Sequence, residues 1–115
     1  MQNKAKRAEL AWNLKAIKTA QIAYESEYDV YVAASLYPPL GSQLKNWVVD
    51  ESGGFKTISW SPDGQVRGSY KVELDGTTNF KAIGVIDADG DGVYATYVAT
   101  KSMNPNEPVT PPDVY

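Results

Sequence analysis

The sequence of 115 residues contains no cysteine and no histidine. Without cysteine there is no disulfide framework, no thiolate nucleophile and no zinc site of the common cysteine-containing kinds. Without histidine the chain lacks the side chain best suited to acid–base chemistry near neutral pH. These two absences exclude Ser-His-Asp and Cys-His sites and iron sites built on two histidines. The composition therefore favours a soluble domain that is not an enzyme.

Long hydrophobic runs are also missing. No apolar stretch approaches the roughly 18 to 20 residues that span a bilayer, and Met1 leads into no hydrophobic leader segment. Hydrophobic residues make up 43% of the chain and charged residues 22%, which are ordinary values for a globular protein. The length allows one domain with a modest core, so we expect residues 1–115 to form a single globular domain.

Charge is unevenly distributed along the chain. Residues 1–18 hold five basic residues against one acid, Glu9, whereas residues 19–115 hold six bases and 13 acids. A basic amino-terminal segment of this kind is usually a solvated helix face, although it could bind nucleic acid or anionic lipid. A further interpretation is self-association, with the basic end of one copy facing the acidic body of another.

Residues 4–31 are predicted to form the one long helix. No glycine or proline occurs between Met1 and Pro38, and residues 4–24 are rich in good helix formers. Apolar and aromatic residues recur at helical spacing along one face, with Asp29 near the expected end. This face consists of Leu10, Leu14, Ile17, Gln21, Tyr24, Tyr28 and Tyr31.

The sequence then changes to the two-residue period of strands. Four strands joined by short turns predict an antiparallel meander over residues 55–101, covered on one face by the helix, which is an α+β fold. Gly68, on the apolar face of the second strand, indicates either a bulge or close packing against the helix. The predicted strands are residues 55–60, 66–74, 80–86 and 93–100, the third of them central.

The two remaining segments are predicted to be irregular. Residues 32–54 contain Pro38, Pro39 and Gly41, which break regular structure. Residues 102–115 hold four of the seven prolines and are expected to be an extended tail that either seals a sheet edge or ends the chain freely.

The helix is predicted to be longer than the sheet that it covers. A helix of 28 residues is about 42 Å long, whereas a strand of seven or eight residues spans roughly 23 to 27 Å. About 10 residues should therefore project beyond the sheet, a difference that follows from these two lengths. An isolated helical overhang is marginal in water, so this end either frays or has neighbours: another helix, other copies or a membrane-spanning continuation. For the second case we predict an assembly surface at Lys4, Arg7, Leu10 and Trp12.

Residues 7–24 form a distinctive run, most of all residues 13–17 with Tyr24 and Tyr28 after them. This run closely resembles the soluble part of the long helix of type IV pilins of the cysteine-free kind. Residues 80–97, with their Asp-rich turn and tyrosine-bearing strand, resemble the last hairpin of those pilins. Residues 32–54 show hardly any likeness.

The resemblance implies the pilin fold, a long helix on an antiparallel sheet, and a structural subunit of a surface fibre of a Gram-negative bacterium. In that family an apolar amino-terminal helix anchors the subunit in the inner membrane and later packs into the fibre core. The sequence is thus expected to be the soluble ectodomain of a longer protein. Its implied partners are other copies of itself, the inner membrane and the pilus assembly machinery.

Several functions are compatible with these patterns. The first is a major pilin, whose fibre serves adhesion, surface motility or DNA uptake; the alternative is a pseudopilin or minor pilin of a secretion or pilus-priming machine. Glycosidase pairs such as Glu25 with Glu27 or Asp50 with Glu51 are disfavoured, because helix neighbours one or two positions apart do not face each other. Nucleic-acid binding by the basic segment lacks any recognised motif.

The one candidate metal site is Asp87, Asp89 and Asp91. The pattern Asp-x-Asp-x-Asp-Gly matches the first six positions of a calcium loop, but position 12 of that loop falls on Val98, which cannot ligate. A tight hairpin turn also explains the aspartates and glycines. We therefore predict a metal-free turn and no cofactor, with calcium as the less favoured alternative. Major pseudopilins, which the chain resembles, carry a calcium site near the carboxyl terminus, so calcium binding here would favour the pseudopilin alternative.

Overall fold

The computed structural model describes residues 2–39, 44–62, 64–86 and 95–106, and within these ranges the side chains from Glu9 to Ser102. The chain begins with a long helix and continues into a sheet. The elements are α1 (Gln2–Tyr28), β1 (Ala34–Tyr37), a 3-10 turn (Val49–Glu51), α2 (Gly54–Thr57), β2 (Ser69–Asp75), β3 (Asn79–Ile86), β4 (Ala95–Thr100) and β5 (Met103–Asn106).

Helix α1 ends where the sequence predicts, between residues 28 and 31. Asp29 adopts the left-handed conformation with φ of 62°, and its backbone N–H donates to the carbonyl oxygen of Glu25 at 2.8 Å. This hydrogen bond from the residue after the helix is typical of the αL motif that ends helices. Glycine usually occupies that position, but Asp tolerates the left-handed conformation because its side chain is short and polar. The chain then turns back toward the sheet.

The sheet is antiparallel throughout, and in the described part of the chain it has five strands in sequence order, β1-β2-β3-β4-β5. The predicted α+β architecture, a long helix packed on an antiparallel sheet, is confirmed. Three predicted strands correspond to β2, β3 and β4, and β3 is central as expected. The predicted count of four is corrected to five, because one predicted strand is replaced and two short edge strands are added.

The segment 55–60 is not a strand, and this prediction was wrong. Gly53 has φ of 59°, a conformation that favours glycine, and α2 follows it directly. The N–H of Ile58 donates to the carbonyl oxygen of Gly54 at 3.1 Å. Phe55 and Ile58 are buried at a spacing of three, so their burial follows a helical rather than an extended period.

Both edge strands lie in segments that were predicted to be irregular. Strand β1 lies within residues 32–54 and pairs with β2, and β5 lies within residues 102–115 and pairs with β4. Each has four residues and an irregular register. Such short strands carry too little alternation to stand out in a sequence.

The core lies between α1 and the central strands. Leu10, Leu14 and Ile17 are fully buried, and α1 packs on β3, β4 and β5. Close approach requires glycine beneath the helix: a Cβ atom added to Gly68 would lie 2.8 Å from Leu10 Cδ2, and one on Gly84 would lie 3.1 Å from it. Of the two interpretations of Gly68, close packing against the helix is the correct one.

A second part of the core is aromatic and flanks the helix. The ring of Trp47 contacts Tyr37, Phe55 and Trp60 edge-on, with centroids 4.9, 5.4 and 5.2 Å away, and Tyr70 lies 6.1 Å from Trp60. Edge-to-face pairs at these distances are favourable. This cluster fixes the loop between β1 and β2 against the sheet.

Candidate assembly surface

The face of α1 that points away from the sheet carries large apolar side chains. Trp12 is 76% exposed and Ile22 is 39% exposed, and Lys15, Thr19 and Ser26 between and after them are exposed as well. An indole left in water in this way is the type of residue that protein interfaces use as an anchor. The helix therefore buries one apolar face in the core and exposes two large apolar side chains on an otherwise polar outer face.

The structure describes the side chains of two of the four residues predicted for the assembly surface, Leu10 and Trp12. Trp12 is exposed as an interface residue must be, but Leu10 is fully buried and its place in the assembly surface is corrected. Its side chain fills the space above Gly68 and Gly84, so it belongs to the core. The side chains of Lys4 and Arg7 lie outside the described residues, although both positions are helical.

The predicted overhang of about 10 residues is too long, because α1 already contacts the sheet region at Glu9. This residue binds β2 and the two residues that precede that strand. Its carboxylate accepts hydrogen bonds from the backbone N–H groups of Arg67 at 2.9 Å and Gly68 at 2.8 Å. It also accepts one from the Tyr70 hydroxyl at 2.7 Å. Bonds to an ionised acceptor are among the stronger ones in proteins, so Glu9 holds the first half of α1 firmly on the sheet.

Sequence reasoning missed this role because it counted Glu9 only as the single acid of a basic segment. The available signal was its position: Glu9 and Asn13 are four residues apart and flank the stripe of Leu10 and Leu14. The Asn13 side-chain N–H donates to the Tyr70 hydroxyl at 3.0 Å. Polar residues so placed beside an apolar stripe can satisfy buried groups of the opposing layer.

Burial and Glu9 together change the acidity of the neighbouring groups. Burial raises the pKa of Tyr70 far above its usual value, and the charge of Glu9 and its hydrogen bond add to the increase, while the bond from Asn13 opposes it. Burial lowers the pKa of Lys45, and the negative charge of Glu9 opposes that change. Tyr70 is fully buried and bonded to both Glu9 and Asn13, so this group of residues joins the helix to the sheet.

Gln21 makes the corresponding attachment near the end of the helix. Its Nε2 donates to the carbonyl oxygen of Val32 at 2.6 Å, and its Oε1 accepts from the N–H of the same residue at 2.9 Å. The amide thus satisfies both backbone groups of one residue, which is why a polar side chain can be fully buried here. The helical spacing predicted that Gln21 lies on the buried stripe, but it did not predict the hydrogen bonds to Val32.

A groove of about 400 Å³ runs beside the carboxyl-terminal end of α1. Tyr24 and Tyr28 contact each other there with ring centroids 4.5 Å apart and ring planes inclined by 37°, and Glu27 contributes a carboxylate to the lining. Its lining is Ala20, Ala23, Tyr24, Glu27, Tyr28, Thr57, Ile58 and Ser59. Small apolar side chains, two phenol rings and one carboxylate make a surface suited to an aromatic or basic side chain of a partner.

The acid pairs weighed as catalytic candidates are at the surface. Asp50 is exposed and bonded to Lys56 at 2.9 Å, Glu51 and Glu27 are exposed, and Glu25 is half-buried. Among the described residues, no cluster of three or more potential metal ligands occurs. The predicted turn at Asp87, Asp89 and Asp91 lies outside the described residues, so its metal-free state stays a prediction.

Within residues 2–39, 44–62, 64–86 and 95–106, no helix combines the length and apolar character needed to cross a bilayer. Compared with protein-family models, curated proteins and solved structures, the chain has no significant match.

Proposed function

We propose that the chain is the globular part of a type IV pilin, a structural subunit that polymerises into a surface fibre for adhesion, motility or DNA uptake. The observation that carries the proposal is the two-sided character of α1. Leu10, Leu14 and Ile17 are buried against the sheet, while Trp12 on the opposite side is 76% exposed. A helix that completes its own core and still presents an indole outward is suited to pack against further copies.

The architecture supports the same function. A long helix laid on an antiparallel meander is the arrangement that the resemblance of residues 7–24 implies. Glu9 binds β2 and the residues before it, and Gln21, 12 positions later, binds Val32 in the segment that leads into β1. In a fibre held by helix packing, these two attachments would pass tension from the helix to the surface domain.

The proposal includes where the protein acts and what it contacts. An apolar segment before the sequence would hold the subunit in the inner membrane, and the assembly machinery would transfer it into a fibre at the cell surface. No catalytic role is part of the proposal, because the acids weighed for one are solvent-facing or half-buried and surface acids are usually solubilising.

The deciding experiment produces the protein together with its natural upstream coding sequence in a bacterium that has a pilus assembly system. We expect membrane-bound protein, and fibres that an antibody against this domain labels in electron micrographs. The matched control is the 115-residue chain behind a cleavable export signal, which should be secreted without forming fibres. A full-length protein that stays soluble in the periplasm would overturn the proposal.

A further inference from the structure

The groove between the end of α1 and the α2 turn has one wall of aromatic and small side chains. Tyr24 and Tyr28 contact each other with ring centroids 4.5 Å apart and ring planes inclined by 37°, and Tyr28 is 57% exposed. Ala20 and Ala23 continue this wall along the helix. The space of about 400 Å³ in the groove is therefore bounded on this side by phenol rings and methyl groups.

The charge around the groove is negative. Glu27 lines it, and Glu25 and Asp29 lie two positions before and after Glu27, half-buried and exposed respectively. The last turn of α1 contains no base, and Lys56 in α2 is paired with Asp50 at 2.9 Å. The carboxyl end of a helix also carries partial negative charge. A cation is therefore the charged ligand that this position favours.

The opposite wall is the turn that ends α2. The N–H of Ser59 donates to the carbonyl oxygen of Lys56 at 3.0 Å, and that of Trp60 donates to the carbonyl oxygen of Phe55 at 2.9 Å. These are the two bonds of a Schellman motif, in which glycine usually occupies the position of Ser59. Ser59 has φ of 59°, so its Cβ atom carries a steric cost that glycine would avoid. In return, the hydroxyl groups of Ser59 and Thr57 both line the groove.

We propose that this groove binds a small quaternary ammonium alcohol of the choline type, with the trimethylammonium group against Tyr24 and Tyr28 and beside Glu27. A quaternary ammonium is attracted to an aromatic face within about 6 Å. It has no N–H group, so it needs no set of hydrogen-bond acceptors, whereas a primary ammonium has three donors to satisfy. The hydroxyl group of the ligand bonds to Thr57 or Ser59. This binding goes beyond fibre formation, because it involves a single copy of the chain.

The acidic surroundings select among compounds that carry the trimethylammonium group. In phosphocholine and in phosphatidylcholine headgroups, a phosphate lies close to the ammonium and would be repelled by Glu25, Glu27 and Asp29. Free choline has no such anion. The ligand is therefore the free alcohol rather than a lipid headgroup.

The test titrates the isotope-labelled 115-residue chain with choline at low ionic strength and follows the backbone amide signals by NMR. We expect saturable shifts centred on residues 20–28 and 57–59. The matched control ligand is dimethylbutanol, the uncharged isostere in which a tert-butyl group replaces the trimethylammonium, and it should bind at least about fivefold more weakly. Butylammonium, which keeps the charge but has N–H donors, should also bind more weakly than choline. The absence of saturable shifts with choline, or equal affinity for choline and either control ligand, would overturn the proposal.

A vesicle assay tests the source of the ligand. Phosphatidylcholine vesicles should not sediment the chain. Sedimentation that choline competes away would overturn the assignment to the free alcohol and favour a lipid headgroup.

Two variants connect the binding to the groove. Tyr28→Leu removes a phenol ring and keeps apolar bulk at an exposed position, so it should weaken choline at least about threefold and leave dimethylbutanol unchanged. Glu27→Gln should also weaken choline. Its matched control is Glu73→Gln, because Glu73 is an exposed acid on β2 outside the lining of the groove. Equal effects of the Glu27 and Glu73 variants, or equal losses of both ligands with Tyr28→Leu, would contradict the proposed site.

Discussion

Glu9 attaches the first half of α1 to β2 and to the residues before it. Replacing it by Ala removes the acceptor of two backbone N–H groups and of the Tyr70 hydroxyl. We expect Glu9→Ala to lower the free energy of unfolding by about 2 to 3 kcal/mol, the range for bonds to a charged group that leave buried donors unpaired. Urea denaturation followed by circular dichroism measures the change.

The control for this substitution is Glu73→Ala. Glu73 forms an ion pair with Lys71 at 3.0 Å on the surface, with a side chain that is 54% exposed, so its loss should change stability by less than about 0.5 kcal/mol. Similar effects of the two substitutions would contradict the role given to Glu9.

The raised pKa of Tyr70 determines how the free energy of unfolding should change with pH in the alkaline range. Its pKa is raised in the folded state, so the folded chain keeps the phenol proton at a pH where the unfolded chain, with a pKa of about 10, loses it. The stabilisation is complete below pH 10 and declines as the pH rises above it. Tyr70→Phe should therefore flatten the fall in unfolding free energy between about pH 10 and 11, measured by urea denaturation at a series of pH values.

Tyr28→Phe serves as the comparison, because the ring of Tyr28 is 57% exposed. This variant should follow the pH profile of the unsubstituted chain. A profile that is unchanged by Tyr70→Phe would show that another group causes the alkaline decline.

The contacts that single side chains make with distant residues could not be predicted from the sequence. A period of 3.6 residues places Leu10, Leu14, Ile17 and Gln21 on one face, and all four are buried. It does not say that Leu10 meets Gly68 and Gly84, or that Gln21 binds the backbone of Val32. Those contacts join residues far apart in sequence, and neither local propensity nor periodicity carries such pairings.

At the scale of elements, the end of α1 offers a direct test of backbone strain. Asp29 has φ of 62°, which glycine adopts without steric cost. Asp29→Gly should raise stability by about 0.5 to 1 kcal/mol, since it relieves that cost and removes a negative charge from the negative end of the helix dipole. The expected increase in melting temperature is a few degrees.

Asp29→Ala separates the two causes, because it removes the charge and keeps the Cβ atom. We expect a smaller gain from this variant, because the charge is removed while the steric cost of a Cβ atom in the left-handed conformation remains. A gain equal to that of Asp29→Gly would attribute the whole effect to charge.

The two faces of α1 should respond differently to a charged residue. Ile17→Asp places an unpaired carboxylate in the core, where Ile17 is fully buried, and we expect it to unfold the domain. Trp12→Asp alters a side chain that is 76% exposed and should change stability by less than about 0.5 kcal/mol. Thermal unfolding compares them, and equal losses would mean that the division of the helix into a core face and an outer face is wrong.

Elements with a strong period were predictable and short ones were not. The spacing of 3.6 residues predicts α1, and the alternation in residues 66–74 predicts β2, whereas β3 and β4 follow from apolar stretches next to turn residues. The segment 55–60 has the apolar residues of a strand, but Gly53 in a positive-φ conformation starts a helical turn there, and nothing in the local composition distinguishes the two. The edge strands have four residues each, which is below the length at which alternation is informative.

For the whole molecule, we expect the 115-residue chain to be monomeric at micromolar concentration. A stable interface buries about 800 Å² on each partner, whereas Trp12, the most exposed large apolar side chain among the described residues, supplies roughly 150 to 250 Å². Contacts of that size hold only where many copies are already aligned. Analytical ultracentrifugation should give a single species of 12.6 kDa, and a tight dimer would contradict this prediction.

The short and irregular edge strands of the sheet affect how the protein behaves in concentrated solution. A long, regular edge strand invites pairing between molecules and the growth of cross-β aggregates. Here β1 and β5 are short and irregular in register, and Pro105 within β5 has no N–H to offer a neighbouring strand. Concentrated solutions of the chain should consequently remain free of amyloid, and copies brought together through their helices should separate again as intact folded units.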